Sequence, residues 1–545
     1  MKLRDYQVEA VEAIQEAFQT CNSTMITMMT GGGKTVIFAS LAKEFMTRGR
    51  VMVIAHREEL IYQAWNQLEK ITGETPDIEM ASYQAGTNFL RRSQLVASSV
   101  QTQIAGCDGN GRMTKFDPDE FSLVIIDECH HAPAKSYRRT IDYYRQNKNL
   151  KLLGVTATPD RHDEKALGKI FESCAFEFGI DRGIPEGWLV PITQNAVYVD
   201  GLDFSEIHTT AGDLNGRELA EVLEKESNLH KMATPTLEIV GNRKTLIFTA
   251  SVAQAERMSE ILNRHKHGSA DWVCGTTPKD QRRYLFERYR RGEFQFLVNV
   301  GVTTEGFDDP AIEVIVQGRP TKSRSLYTQM IGRGTRPLPG LVDGLATAED
   351  RRQAIATSAK PAMEVLDFVG NSGHHRLITS ADVLGGNYDD EVVDRVRRKL
   401  ASGGRGDMLT ELSQAEKEIA EKRHRERQAE MRRNVRARAK YSTATVNPFD
   451  VLDMVPARVK GWNQGREPTR KQLDLLAKMG VDTKGISFTH ASQMIGAIIK
   501  RREEGLCTYK QAKLLNRYGY DTRGMTFADA SAMISELADN KWKPL

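Results

Sequence analysis

Two short polar clusters, each closing an apolar run, constrain this chain more than anything else in it. Thr30-Gly31-Gly32-Gly33-Lys34-Thr35 follows Met25-Ile26-Thr27-Met28-Met29 and precedes a helical stretch, Thr35-Val36-Ile37-Phe38-Ala39. Asp127-Glu128-Cys129-His130 closes the run Leu123-Val124-Ile125-Ile126. A buried strand feeding a glycine loop and a helix, and a second buried strand ending in two carboxylates, are the two halves of a nucleoside triphosphatase site. Glycines let backbone N–H groups approach phosphate oxygens without a Cβ in the way, and the following helix points its positive end at them. Lys34 suits the β- and γ-phosphates, and Thr35 suits a Mg²⁺ ion. Asp127 suits the surroundings of that ion, and Glu128 is placed to orient or deprotonate an attacking water. ATP and Mg²⁺ are therefore the expected substrate and cofactor. One departure is plain: Met28 stands where the common loop pattern has its first glycine.

Short apolar runs alternate with amphipathic helical stretches up to about residue 180, as in Val51 to Ala55, Leu123 to Ile126 and Leu152 to Val155. That alternation predicts βαβ units on a parallel sheet. It resumes near Lys244 with Leu246-Ile247-Phe248, a helix over Val252 to Arg264, and the runs Phe296 to Val300 and Val314 to Val316. Two α/β domains of similar size are expected, with Gly183 to Pro191 as the crossing between them. Near residue 380 the character changes. Leu409 to Lys440 is rich in Glu, Arg, Lys and Ala and should be largely helical, and Asn447 to Pro468 reads as a loop. Lys422 to Lys440 holds nine Lys or Arg against two Glu, which marks either a solvated charged helix or a contact for nucleic acid.

The last segment repeats itself at an offset of 39 residues. Thr469-Arg470-Lys471-Gln472 aligns with Thr508-Tyr509-Lys510-Gln511, Gly480 with Gly519, and Ala491-Ser492-Gln493-Met494-Ile495 with Ala530-Ser531-Ala532-Met533-Ile534. Each unit opens Thr-x-x-Gln, a helix-capping box, and its first helix meets a glycine suited to a C-terminal cap. Two small helical hairpins are expected to pack together, since neither alone buries a useful core.

The remaining bulk properties exclude several classes. Six cysteines are scattered with no Cys-x-x-Cys pair, which argues against a structural zinc site or disulfide framework and for a reducing compartment. No apolar run approaches the ~18 residues of a membrane span, and the first residues lack the apolar core of a signal peptide. A cytoplasmic protein of a bacterium or a phage-infected cell, without a membrane partner, is expected. The formal net charge of +4 does not by itself indicate a nucleic-acid partner.

Over residues 1–380 the chain resembles the superfamily 2 helicases and translocases. Arg4-Asp5-Tyr6-Gln7 looks like their adenine-reading element, with Gln7 on the base. His56-Arg57-Glu58-Glu59-Leu60, with Gln63, looks like motif Ia, which places Arg57 on a nucleic-acid backbone. Thr156-Ala157-Thr158-Pro159 looks like motif III, so Thr156 and Thr158 would couple ATP state to strand contact. Thr303-Thr304-Glu305-Gly306-Phe307-Asp308 looks like motif V, with Thr303 toward nucleic acid and Gly306 and Asp308 toward nucleotide. Gln329-Met330-Ile331-Gly332-Arg333-Gly334-Thr335-Arg336 looks like motif VI, with Gln329 in the site and Arg333 and Arg336 as arginine fingers. Arg319-Pro320-Thr321-Lys322-Ser323 is similar to the ResIII group of restriction motors, XPB-type helicases and phage helicases.

The resemblance implies two tandem RecA-like parallel-sheet domains at 1–182 and 183–380. A charged helical linker at 381–465 and the repeat region at 466–545 would follow. It also implies an ATP-dependent DNA helicase or double-strand DNA translocase acting on duplex, forked or branched DNA. The alternatives are an RNA helicase, or a motor subunit of a larger restriction, defence or replication assembly whose terminal repeats recruit a protein partner. No nuclease cluster of paired carboxylates with a lysine stands out after residue 340, so a motor without its own cutting site is expected.

Overall fold

The computed structural model describes residues 3–86, 92–106, 111–157, 161–210, 212–303, 307–372, 376–385, 388–401, 405–436, 448–518 and 520–542. The chain forms two compact units. One comprises Met1–Leu384 with Lys399–Met408, and the other Gly385–Arg398 with Leu409–Leu545.

The first unit contains two seven-stranded sheets. In the first, β1 (Ser23–Met28), β2 (Arg50–Ala55), β3 (Asp77–Glu79), β4 (Leu95–Ser99), β5 (Phe121–Asp127), β6 (Lys151–Thr156) and β7 (Ser173–Phe178) are ordered β3-β4-β2-β5-β6-β1-β7. Every pairing is parallel. Helices cover both faces of such a sheet, which is why β1 and β2 are buried at every position and show no alternation of buried and exposed residues. The loop after β1 and the carboxylates at the end of β5 flank β6, with Ser23 opposite Leu152 on one side and Leu123 opposite Lys151 on the other. Both clusters therefore leave the sheet at its carboxyl edge, where ligands of open α/β sheets bind.

The second sheet uses β8 (Ile192–Asp203), β11 (Thr245–Phe248), β12 (Ala270–Val273), β13 (Phe296–Asn299), β14 (Val314–Gln317), β15 (Met363–Asn371) and β16 (Arg405–Asp407), ordered β12-β13-β11-β14-β15-β8-β16. A small hairpin of β9 (Thr209–Thr210) and β10 (Asp213–Leu214) follows β8. All pairings of the second sheet are parallel except β16, which runs antiparallel to β8. That strand lies inside the segment expected as a helical linker. Its Arg405-Gly406-Asp407 carries no apolar alternation, so only backbone pairing to the edge of β8 reveals it.

In the second unit, a helix over Met408–Arg436 matches the expected charged helix; 437–440 lie outside the described residues. Arg423 on it pairs with Glu391 at 2.6 Å. The repeats are helical hairpins, Arg470–Lys478 with Phe488–Glu503 and Tyr509–Arg517 with Phe527–Asp539. Both capping boxes form, at Thr469/Gln472 and Thr508/Gln511. Gly480 has φ +85°, as its capping position requires, while Gly519 lies outside the described residues. Leu476, Met494, Leu515 and Leu537 are fully buried in one core shared by both hairpins. The segment expected as a loop contributes to it: Pro448–Val451 is a short helix, and Phe449 and Leu452 close that core. Among the described residues no helix is long and apolar enough to cross a membrane. Cys21, Cys129, Cys174, Cys274 and Cys507 are free thiols, and Cys107 lies outside the described residues.

Candidate functional site

The loop after β1 is shaped by its glycines. Gly31 and Gly33 adopt φ +82° and +79°, left-handed conformations in which an L side chain is strained. The helix Lys34–Phe45 starts directly after Gly33 with no side chain capping it. Met28, at the position of the usual first glycine, is a buried strand residue whose side chain packs under Gly32. The carbonyl of Gly32 accepts hydrogen bonds from Tyr6 Oη (3.0 Å) and Gln7 Nε2 (3.1 Å). Gln7 Oε1 in turn accepts from the Arg4 N–H at 3.0 Å. Both ends of the Gln7 amide are thus held against the phosphate loop.

At the end of β5, Lys34 Nζ lies 2.5 Å from Glu128 Oε1. Burial works against the Lys34 ammonium, but the carboxylates of Glu128 and Asp127 hold its pKa above the usual lysine value. Burial likewise favours the neutral acid at Glu128, yet Lys34 and then His130 keep it ionised, well below the usual carboxylate range. Glu128 has φ +48°, a rare conformation for a residue with a side chain, and its N–H donates to Asp127 Oδ1 at 3.0 Å. His130 Nδ1 is 2.9 Å from Thr156 Oγ1 and 3.3 Å from Glu128 Oε2. The end of β6 is therefore joined to the carboxylate. Cys129 is fully buried beneath Gly154, and burial pushes its thiol pKa well up, as suits a packing residue.

The second sheet supplies the opposite wall. The helix Arg324–Gly332 follows the Arg319 to Ser323 stretch and is capped by Ser323. It delivers Gln329 and, beyond its end, Arg333 and Arg336. Arg333 Nη1 donates to the Phe307 carbonyl at 2.6 Å, and Arg336 pairs with Asp308. A Cβ at Gly31 would overlap Arg336 Nε, so this guanidinium lies directly on the glycine loop. A Cβ at Gly332 would lie 2.6 Å from Thr30 Cβ, so only glycine allows that approach.

One cleft of about 380 Å³ collects these groups. It is lined by Thr30, Gly31, Gly33, Lys34, Thr35, Asp127 and Glu128 from the first sheet, and by Phe307, Asp308, Gln329, Arg333 and Arg336 from the second. Gln7 and Gly32 stand behind the loop. Arg57 precedes the helix Glu58–Thr72, Thr156 ends β6, and Thr303 is buried after β13, its hydroxyl without a partner among the described residues. None of these three lines the cleft. Thr158 and Gly306 lie outside the described residues.

Sequence reasoning missed two features. Asn66 and Gln67 continue the face of the helix Glu58–Thr72 that begins at Leu60 and Gln63, and all four line the cleft, a row readable in their three- and four-residue spacing. Tyr6 stacks on Phe178 at 4.5 Å and meets Trp188 edge-on at 5.2 Å, with Arg4 over that indole at 5.1 Å. No local pattern announces rings so far apart in sequence.

The cleft fits a nucleoside triphosphate with Mg²⁺. Two left-handed glycines leave room against the loop, and three cationic side chains converge there. Among the described residues no group of three or more His, Cys, Asp or Glu is arranged to hold a metal alone. Mg²⁺ takes one or two protein oxygens and draws the rest from phosphates and water. Thr35 and Asp127 are the donors available at the loop.

Residues 1–161 match the family described as "Type III restriction enzyme, res subunit", and residues 224–337 match "Helicase conserved C-terminal domain". The chain is 30% identical over 410 residues to a Saccharomyces cerevisiae protein named "Putative ATP-dependent helicase IRC3", covering 71% of this chain and 54% of that one. It is 26% identical over 404 residues to "DNA 3'-5' helicase XPB" of Mycobacterium tuberculosis, covering 70% and 66%. It is 25% identical over 378 residues to "Type I restriction enzyme EcoAI endonuclease subunit" of Escherichia coli, covering 61% and 44%. The chain spans about half the length of the first curated relatives it matches.

Proposed function

Because the chain belongs to the superfamily 2 helicases, in their ResIII group, we propose that it is an ATP-dependent DNA helicase or double-strand DNA translocase. The observation that carries this reading is the position of Arg336, on the second sheet, against Gly31 of the loop on the first. A nucleotide held there touches both sheets, so its hydrolysis alters how they meet, and that change is available for stepping along a strand.

The roles follow from the chemistry of each group. Lys34 turns from Glu128 to the β- and γ-phosphates, and Gln7, whose amide is committed to Gly32 and Arg4 without nucleotide, meets the adenine edge only by releasing one of them. Thr35 and Asp127 would hold Mg²⁺, which when bound would supply charge neutralisation for the phosphates. Once Lys34 is engaged, Glu128 loses its strongest cationic neighbour and its proton affinity rises toward that of a useful base for the attacking water. Arg333 and Arg336 brace the γ-phosphoryl oxygens as charge redistributes, with Gln329 beside them. Thr156, linked through His130 to Glu128, is the link between hydrolysis and the strand contacts at Arg57 and, once its buried hydroxyl is uncovered, Thr303. These contacts grip phosphates and so act without regard to sequence.

DNA is favoured because the relatives named above include a DNA helicase and a restriction endonuclease subunit. The test is the ATPase rate of the full chain with duplex DNA, single-stranded DNA or RNA at equal nucleotide concentration. Strongest stimulation by DNA supports the proposal. Stimulation by RNA alone replaces it with an RNA helicase, and no stimulation by any of them removes the motor reading.

A further inference from the structure

The two C-terminal hairpins are built alike but finished differently. Gln472 donates to Ser492 at 2.9 Å, and at the 39-residue offset Gln511 donates to Ser531 at 2.8 Å. Phe488 and Phe527 open the second helix of each hairpin, after Ser487 and Thr526 caps. The N–H of Phe488 donates to the Arg466 carbonyl (3.3 Å), and that of Phe527 to the Gly505 carbonyl (3.1 Å), again 39 residues on. In the first hairpin the Arg466 guanidinium lies over the Phe488 ring, 4.0 Å from its centroid. In the second, Gly505 has no side chain to offer, and Phe527 is 55% exposed. The same ring, in the same place, is covered by a flat cationic group in one repeat and bare in the other.

The bare ring lines a groove of about 450 Å³ with Met479 and Ile498. Lys478, Arg502 and Lys510 are exposed on its rim, and none makes an ion pair among the described residues. The stem of Lys510 lies along Gly480, where a Cβ would be 2.8 Å from Lys510 Cγ, which fixes this cation beside the groove. Three unneutralised cations around an exposed aromatic face call for a ligand that is planar and negatively charged. A flat group is what covers the equivalent ring in the first repeat. A nucleobase supplies the plane, and its phosphates supply the charge. An acidic peptide would satisfy the cations but leave the ring face without a flat partner.

We propose that this groove binds single-stranded nucleic acid, with a base stacked on Phe527 and the backbone held by Lys478, Arg502 and Lys510. It rests on the motor reading for the identity of the polymer, and it adds a strand contact outside the ATPase core.

The test uses the full chain without ATP and unlabelled dT20 as the probe. Phe527→Trp keeps a stacking ring and adds a local reporter, read as the emission beyond that of the wild-type chain. We expect dT20 to quench that added emission, Phe527→Ala to weaken dT20 binding about tenfold at moderate salt, and Lys510→Gln to flatten the salt dependence by about 0.7 in the log–log slope. Matched thermal midpoints establish that the variants are folded, which the exposure of these side chains favours. An unquenched tryptophan together with unchanged affinity of Phe527→Ala overturns the proposal and assigns the groove to a protein partner. Quenching in a chain whose ATPase no nucleic acid stimulates keeps the groove and removes the motor. Stimulated ATPase with an unquenched tryptophan does the reverse.

Discussion

Arg336→Ala separates a residue that acts in the transition state from one that merely binds nucleotide. In the folded chain its guanidinium pairs with Asp308, and the two side chains are 33% and 49% exposed. An exposed pair of this kind contributes under about 1 kcal/mol, so the variant should melt within a few degrees of the wild type. The loop that holds the phosphates is intact, with Lys34, Thr35 and Asp127 in place, so ATP affinity should change little. The loss falls on charge that develops at the γ-phosphoryl group. A finger arginine is worth roughly 10³-fold or more in turnover, or about 4 kcal/mol of barrier. Arg336→Lys should not restore it, because a lysine ammonium cannot reproduce the planar fork. The assay is steady-state ATP hydrolysis with saturating DNA, alongside binding of a fluorescent ATP analogue. Turnover within threefold of the wild type, or an affinity loss matching the turnover loss, would refute the view that the two sheets share one nucleotide. Arg333→Ala should behave similarly, since Arg333 lines the same cleft.

Lys34→Ala should abolish turnover and also lower stability by about 3 kcal/mol, because it leaves Glu128 buried without the cation 2.5 Å away; denaturant melting checks the second effect, and unchanged stability would contradict it. Glu128→Gln should keep ATP binding and lose hydrolysis, because an amide fills the place but accepts no proton; surviving turnover per bound ATP would remove Glu128 from the water-activating role. Asp367 on β15 is pushed up to about 7 by burial, against the opposing hydrogen bond from Tyr327. A carboxyl with a raised folded pKa stabilises fully below about pH 4, and that contribution is lost as pH rises toward 7. Asp367→Asn should therefore melt above the wild type by a margin that widens from pH 4 to 7, at ~1.4 kcal/mol per unit at most, and a margin independent of pH would contradict the assignment.

Much of this was legible because the signals are local. Met25 to Thr35 and Leu123 to His130 carry strand, loop and chemistry within a dozen residues each, and the parallel sheet followed from buried apolar runs. The repeats announced their caps through Thr-x-x-Gln. What stayed hidden depends on partners distant in sequence. β16 is a strand only because β8 has a free edge; its three residues have no pattern of their own. A truncation placed near residue 380 would remove that strand, and with it Arg405, which pairs with buried Glu364 at 3.2 Å. The left-handed Glu128 and its link through His130 to Thr156 are equally silent, since nothing in Asp-Glu-Cys-His fixes a backbone angle. Phe449 and Leu452 read as loop residues until the open end of the repeat core is seen to need them.

The most direct test of a cleft that turns hydrolysis into movement is displacement of a third strand from a DNA triplex, placed along a duplex and followed in real time. The full chain should strip that strand in the presence of ATP and Mg²⁺. It should fail with a non-hydrolysable analogue, and Lys34→Ala, Glu128→Gln and Arg336→Ala should fail with ATP. Displacement that proceeds without hydrolysis, or vigorous DNA-stimulated hydrolysis with the third strand left in place and no unwinding of forked DNA, would contradict it.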